Sequence, residues 1–324
     1  MVRYCSLVLL VVMFVFAGCK KTETVAPAPV FTSGYNVYMA GTNHGNAVYW
    51  KNADSVTLDS TANGLAIAVS GSDVYVSGVL YQNNNDNAVY WKNGQRFQLV
   101  GSGISYATGI GIQGTDVYCA GYLFGPANSG IVHAVYWKNG VVTTLSPFTN
   151  AVAQSILVTP SQIYISGQVY ANGWDTAVVW KNGVQTYYGE PGNIYAMTLS
   201  PTDTIFAGNF GSGAAYWTHD SFKQYNNAFA GSVAAQGNDI YIGGGTFASS
   251  GLSQAAYWKN DIITLLPNTY KISTVNGIAI AGDDVYAVGS VQDDTKTYPV
   301  FWKNGVMQLR GTDGEVRAIV ITPQ

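Results

Sequence analysis

The chain has 324 residues, of which 48% are apolar, 10% charged and 13% aromatic. This length supports one large all-β domain or two ordinary ones, and the ordinary apolar content excludes a disordered chain even though charge is far below the usual ~25%. A net charge of −3, from 15 basic and 18 acidic residues, lacks the concentrated basic footprint of a nucleic-acid binder, so no nucleic-acid partner is expected.

Residues 1–18 read as a signal peptide. Arg3 precedes an apolar run from Leu7 to Phe16, and small residues follow before Cys19. The run is too short to span a bilayer comfortably and has the small-residue processing site of an exported chain. The end of the segment, Phe16-Ala17-Gly18-Cys19, resembles the lipobox of bacterial lipoproteins, with Phe16 where Leu is usual. The resemblance implies that Cys19 becomes the first mature residue, that its thiol carries the lipid and that the protein is membrane-anchored in the cell envelope, periplasmic or cell-surface exposed. Residues 19–34 are then the lipidated cysteine and a flexible, Pro-bearing tether. Cys5 leaves with the signal, so Cys119 remains alone and no intramolecular disulfide is available.

From residue 35 to 324 the chain repeats. Trp50, Trp91, Trp137, Trp180, Trp217, Trp258 and Trp302 recur at spacings of 41, 46, 43, 37, 41 and 44, each in an AVYWKN-like segment. A DVYVSG-like segment ends at Gly41, Gly78, Gly121, Gly167, Gly208, Gly244 and Gly289 and strictly alternates with the first. Each unit reads as four short strands, here termed a to d. Around Trp91, residues 65–70 form strand a and 71–73 a turn. Residues 74–80 form strand b, 88–92 strand c and 95–100 strand d. Asn93-Gly94 is the two-residue hairpin signal of a type I′ turn. A period near 42 with four strands per unit predicts an all-β, seven-bladed β-propeller in one domain. The first unit begins at strand b with Asn36-Val37-Tyr38, and residues 315–322 form a strand a with no successor. The ring is therefore expected to close by the C-terminal strand joining the first N-terminal strands, where an open solenoid would want polar caps.

The repeats resemble bacterial β-propellers of the NHL and YVTN class, carried here by Gly109-Ile110-Gly111-Ile112 followed by Asp116-Val117-Tyr118-Cys119-Ala120. The YWKNG segment resembles a repeat of uncharacterised surface lipoproteins. These likenesses imply architecture and almost nothing about activity.

The seven Trp and the strand-b Tyr residues are expected to pack blade on blade. Asp73, Asp116, Asp203, Asp239 and Asp284 are expected to bond their own turn backbone. Lys51, Lys92, Lys138, Lys181, Lys259 and Lys303 flank the c–d turns on the face where the tether enters, as solvated turn flanks or as attraction for an anionic membrane. Length variation concentrates in the b–c connections of the opposite face, where strand-b Gly to Trp runs 9, 13, 16, 13, 9, 14 and 13 residues. These loops carry the candidate ligand-binding residues: His44, Tyr81, Asp86, Tyr122, Phe124, His133, Tyr170, Trp174, Asp175, Phe247, Asp293 and Asp294. Trp174 is the one Trp outside the repeat position, and an aromatic beside Asn172 and Asp175 suits sugar stacking or a peptide anchor.

Catalytic chemistry is poorly supported. His44, His133 and His219 fall in different repeats, and no nucleophile triad, HExxH or phosphate loop is present. The run 83–87 offers oxygen ligands for Ca²⁺ but too little charge. Paired acids for glycan cleavage would have to come from separate loops, such as Asp175 and Asp294. No cofactor and no metal site is expected. The expected protein is a monomeric binding or scaffold module for a glycan or protein. The alternatives are a glycan-active hydrolase or lyase working in a central funnel, and a structural envelope or assembly protein.

Overall fold

The computed structural model describes residues 34–82, 85–101, 103–125, 130–146 and 150–324. The signal peptide, Cys19 and most of the tether lie outside these residues, as do Asn83 and Asn84. The described chain forms seven four-stranded antiparallel sheets and no helix. Six blades are built from consecutive strands, as in the second: Ala62–Ser70, Asp73–Gln82, Asn85–Lys92 and Gln95–Gln98. The first blade takes its inner strand from the far end of the chain. Gly314–Pro323 pairs with Tyr35–Asn43, setting Ile321 opposite Val37, Val320 opposite Tyr38 and Ala318 opposite Ala40. Neighbouring inner strands touch one another around the complete circuit. The protein is a closed seven-bladed β-propeller.

Strands b and c run further than their composition suggests. In the second blade the ladder continues to Gln82 opposite Asn85, so Tyr81 and Asp86 face each other as paired residues. Tyr122, Phe124, His133, Tyr170, Trp174, Asp175 and Phe247 likewise sit within strands rather than loops. Polar residues near a hairpin tip read as loop because tip strands have no apolar face to bury, but their backbone pairing persists.

The repeat residues form two devices. All seven repeat Trp side chains are buried, each in a core shared with the preceding blade. Trp91 meets Ala40 and Ala47, Trp137 meets Ala88, and Trp302 meets Ala255. Several indole N–H groups also cross the seam. Trp91 donates to Asp59 Oδ2 at 2.8 Å, Trp137 to the Val100 carbonyl at 2.8 Å and Trp50 to the Arg310 carbonyl at 3.1 Å. A ring fused to a polar handle thus fills and pins each junction.

The second device clasps strand b to the c–d turn. Six Lys ammonium groups lie 5.2–5.4 Å from the ring centres of the Tyr residues paired with them across the b–c ladder, as Lys92 lies over Tyr75. In the second, third, sixth and seventh blades the same Lys also meets the Asp before strand b, at 2.8–2.9 Å. The turn Asn adopts positive φ, its Oδ1 accepts from the first strand-b amide and its Nδ2 donates to that Asp, as Asn93 does to Asp73 at 2.8 Å. These Asp residues therefore serve Lys and Asn rather than their own turn. Asp203, in the fifth blade, instead accepts from two backbone amides at 2.6 Å, that of the adjacent Thr204 and that of His219 in the c–d turn. That blade has Ile205 and Thr218 where the others have Tyr and Lys.

Two outcomes test this account. Removing residues 315–324 strips the first blade of its inner strand and exposes Val37, Met39 and Trp50, so cooperative thermal unfolding should be lost or shifted down by many degrees. The Lys ammonium and the turn Asn hold the carboxyls of Asp73, Asp116 and Asp284 low, Lys leading; at Asp239 the Asn leads. A folded pKa below the unfolded value of about 3.9 gives stability that is complete above that pH and is lost as pH falls through the depressed value. The melting temperature should therefore decline below about pH 4, and Asn at all four positions should flatten that decline.

Candidate functional site

The face opposite the clasps carries a cavity of about 690 Å³ at the mouth of the central channel. Its origin lies in the strand-b glycines. A Cβ on Gly78, Gly121, Gly167, Gly208, Gly244 or Gly289 would stand 1.9 Å from a carbonyl oxygen of the adjoining inner strand, and on Gly41 2.1 Å. No side chain fits, and the inner strand bulges at that point in every blade. A bulge leaves one residue unpaired and re-aims it. The seven bulged residues are Leu65, Thr108, Gln154, Tyr195, Gly231, Asn276 and Arg317, and all seven line both the mouth and the channel below it. Around the ring one position is thus held in identical geometry but filled with seven different residues.

The sequence holds a signal for this ring. Six of the residues lie thirteen positions before their strand-b Gly. The seventh, Arg317, joins only through ring closure. Because the position varies, a search for repeated residues passes over it.

Second and third blades make the mouth aromatic. The Tyr106 and Tyr122 rings stack at 4.9 Å with 17° between planes, and Phe124 meets Tyr122 edge-on at 6.2 Å. Tyr81 lines the same wall, its hydroxyl accepting from Asn63 Nδ2 at 3.0 Å. The Tyr106 hydroxyl donates to Asp86. Burial, then the Asp86 hydrogen bond and charge, raise the Tyr106 phenol. Burial also raises Tyr122 and Tyr195. These phenols stay neutral hydrogen-bonding groups at physiological pH. Arg317 pairs with Glu315, and Asn276 Nδ2 donates to the Val316 carbonyl at 2.9 Å, joining the seventh blade to the first.

A second hollow of about 280 Å³ adjoins this wall, lined by Gln168, Tyr170 and Asp175 and sharing Val132 and Val152 with the first. Of the sequence candidates, Tyr81, Tyr122 and Phe124 therefore come together around Tyr106, with Asp86 behind them, and Tyr170 and Asp175 lie next door. Trp174 stands beside them at the start of strand c, 58% exposed.

The others are not brought to this cavity. His44 sits in the first b–c turn, its Nε2 2.8 Å from Thr312 Oγ1. His133 Nδ1 lies 3.3 Å from the Ser146 carbonyl. Phe247 packs on Phe229 at 5.5 Å. Asp293 accepts from the Thr295 and Lys296 amides and from the Thr295 and Tyr298 hydroxyls, which fixes its own turn and holds its carboxyl far below the usual range, the Tyr298 bond foremost. Asp294 pairs with Lys271 at 2.6 Å, in a different blade from Asp175. Among the described residues no group of three or more His, Cys, Asp or Glu is placed to hold a metal ion.

No protein-family model matches the chain, and no curated protein matches it. Solved structures do. Acylaminoacyl peptidase of Pyrococcus horikoshii (uncomplexed) is 11% identical, with a TM-score of 0.50 over 86% of this chain and 53% of that one. The β-propeller domain of the Trilobed protease from Pyrococcus furiosus is 9% identical, with a TM-score of 0.49 over 87% and 97%. Apo AztD from Citrobacter koseri is 11% identical, with a TM-score of 0.44 over 90% and 99%. This chain spans about half the length of the peptidase. At these identities the likeness is one of fold alone.

The bulge is tested by Gly121→Ala. Its Cβ would strike the Tyr106 carbonyl at 1.9 Å. Relief requires the backbone under Tyr106 and Thr108 to move, which should cost about 1–3 kcal/mol in denaturant unfolding.

Proposed function

We propose that this is an exported, lipid-anchored β-propeller that binds a glycan at the mouth of its central channel. The observation that carries the reading is the Tyr106–Tyr122 stack with Phe124 and Tyr81, set beside the hydroxyl and amide groups of Asn63, Thr108, Gln154, Tyr195 and Asn276. Flat aromatic faces suit the apolar face of a sugar ring, and neutral amides and phenols suit its hydroxyls. A cavity of this volume accommodates a short oligosaccharide. Binding is preferred to cleavage because the described residues lining the mouth include no carboxylate, and the nearby ones are engaged: Asp86 accepts from Tyr106 and Glu315 pairs with Arg317.

Anchoring rests on the Phe16-Ala17-Gly18-Cys19 segment and on the entry of the chain at Gly34, on the clasp face. With that face turned to the membrane, the mouth opens outward. Cys19→Ala should abolish incorporation of labelled fatty acid.

For the site, oligosaccharides released from the protein's own envelope would be titrated calorimetrically. Tyr122→Ala should weaken binding about tenfold or more, near 1.4 kcal/mol, with the melting temperature little changed. Equal affinity of the two forms, or turnover of the bound glycan, would overturn the reading.

A further inference from the structure

We infer that the clasp face of the propeller rests on a lipid bilayer, with an arc of apolar side chains at its hairpin tips entering the headgroup region. The inference extends the anchoring reading above and rests on it. The first residue after the c–d turn is a large apolar one in five consecutive blades: Val141, Val184, Phe222, Ile262 and Val306. Val141, Val184 and Ile262 are each at least 70% exposed, among the most exposed apolar residues described. Leu199, exposed at the a–b turn of the fifth blade, extends the arc on the same face.

Turn chemistry does not require these residues. Asp54 and Gln95 hold the same position in the first and second blades, each directly across the ladder from the Lys that follows the repeat Trp. Asn93-Gly94 and Asn139-Gly140 have the same positive φ pair, yet one leads to Gln95 and the other to Val141. The apolar choice at this position thus runs through five of the seven blades and stops at two, which turn formation does not explain.

The occupant is argued from three observations. The side chains stand singly on separate hairpin tips and do not enclose a groove, which suits a fluid interface better than a shaped protein partner. Each of Val141, Val184, Ile262 and Val306 has a Lys directly opposite, so an ammonium stands beside each tip. Asp and Tyr engage Lys138 and Lys259 and Tyr engages Lys181, yet an ammonium carries three donors, and the Lys138 and Lys259 side chains, 47% exposed, keep capacity for lipid phosphate. The described chain begins on this same face, where the Gly34 carbonyl accepts from the Gln324 amide at 2.9 Å. A tether from a lipid on Cys19 reaches at most ~50 Å, which holds this face close to the bilayer.

The test uses the full mature chain reconstituted into phosphatidylethanolamine–phosphatidylglycerol vesicles containing brominated acyl chains. An environment-sensitive fluorophore is attached at Ile262→Cys or, on the opposite face, at Ser250→Cys; Cys119 is buried and escapes labelling. The expected result is blue-shifted emission quenched by bromine at position 262 and neither effect at 250. Adding Val141→Ser, Val184→Ser and Val306→Ser should return position 262 toward the level at 250 while the chain stays on the vesicles. A retained chain with water-like, unquenched emission at 262 overturns the inference and leaves the anchor standing. So does blue-shifted emission at 262 in native envelope membranes combined with water-like, unquenched emission in the brominated vesicles, which would mean a protein partner. A chain not retained at all overturns the anchor and the inference together.

Discussion

In every blade a carbonyl oxygen of the inner strand occupies the space where a side chain on the second strand would begin. This contact, 1.9–2.1 Å from any Cβ built there, demands glycine and fixes the place at which the inner strand bulges. The bulge turns one residue per blade toward the axis. Ring geometry, the glycine repeat and the lining of the channel mouth therefore follow from a single steric exclusion. The clasp, by contrast, secures the other end of six blades, and the Trp wedge secures the seams between blades. The scaffold and the candidate site are built from different residues at opposite ends of the same strands.

This separation explains what could be read from the residues alone. Seven Trp at near-regular spacing and Asn-Gly after four of the six repeat Lys residues report backbone geometry, and they predict blades and turns, while the unmatched terminal strands predict closure. Residues whose chemistry depends on a neighbour from another strand are less legible. Asp73 reads as a turn residue because Gly71-Ser72 adjoins it, yet Lys92 and Asn93, nineteen and twenty positions on, decide what it does. Asp293 reads as a free acid and is consumed by its own turn. Thr108, Gln154, Asn276 and Arg317 are invisible to a search for repeated residues, because what recurs is their position and not their identity. Tyr106 escapes for a related reason: it sits in an inner strand, one residue ahead of the small apolar run that marks those strands.

The mouth is also lopsided. Tyr81, Tyr106, Tyr122 and Phe124 crowd the second and third blades, Glu315 and Arg317 mark the first, and Gly231 leaves the sixth bare. A ligand stacking on those rings would lie off the axis, against one wall, with its far side toward the open sixth blade. Symmetric scaffolding around an asymmetric lining allows one ligand orientation, which seven equivalent slots could not.

The pairing of Tyr35–Asn43 with Gly314–Pro323 has a mechanical meaning. A pull arriving through Gly34 runs lengthwise along a strand held on both flanks, by the closing strand on one side and by Asn46–Lys51 on the other. Such a load shears two ladders at once and stretches their hydrogen bonds in parallel. A strand entering at a free edge would instead peel away one bond at a time.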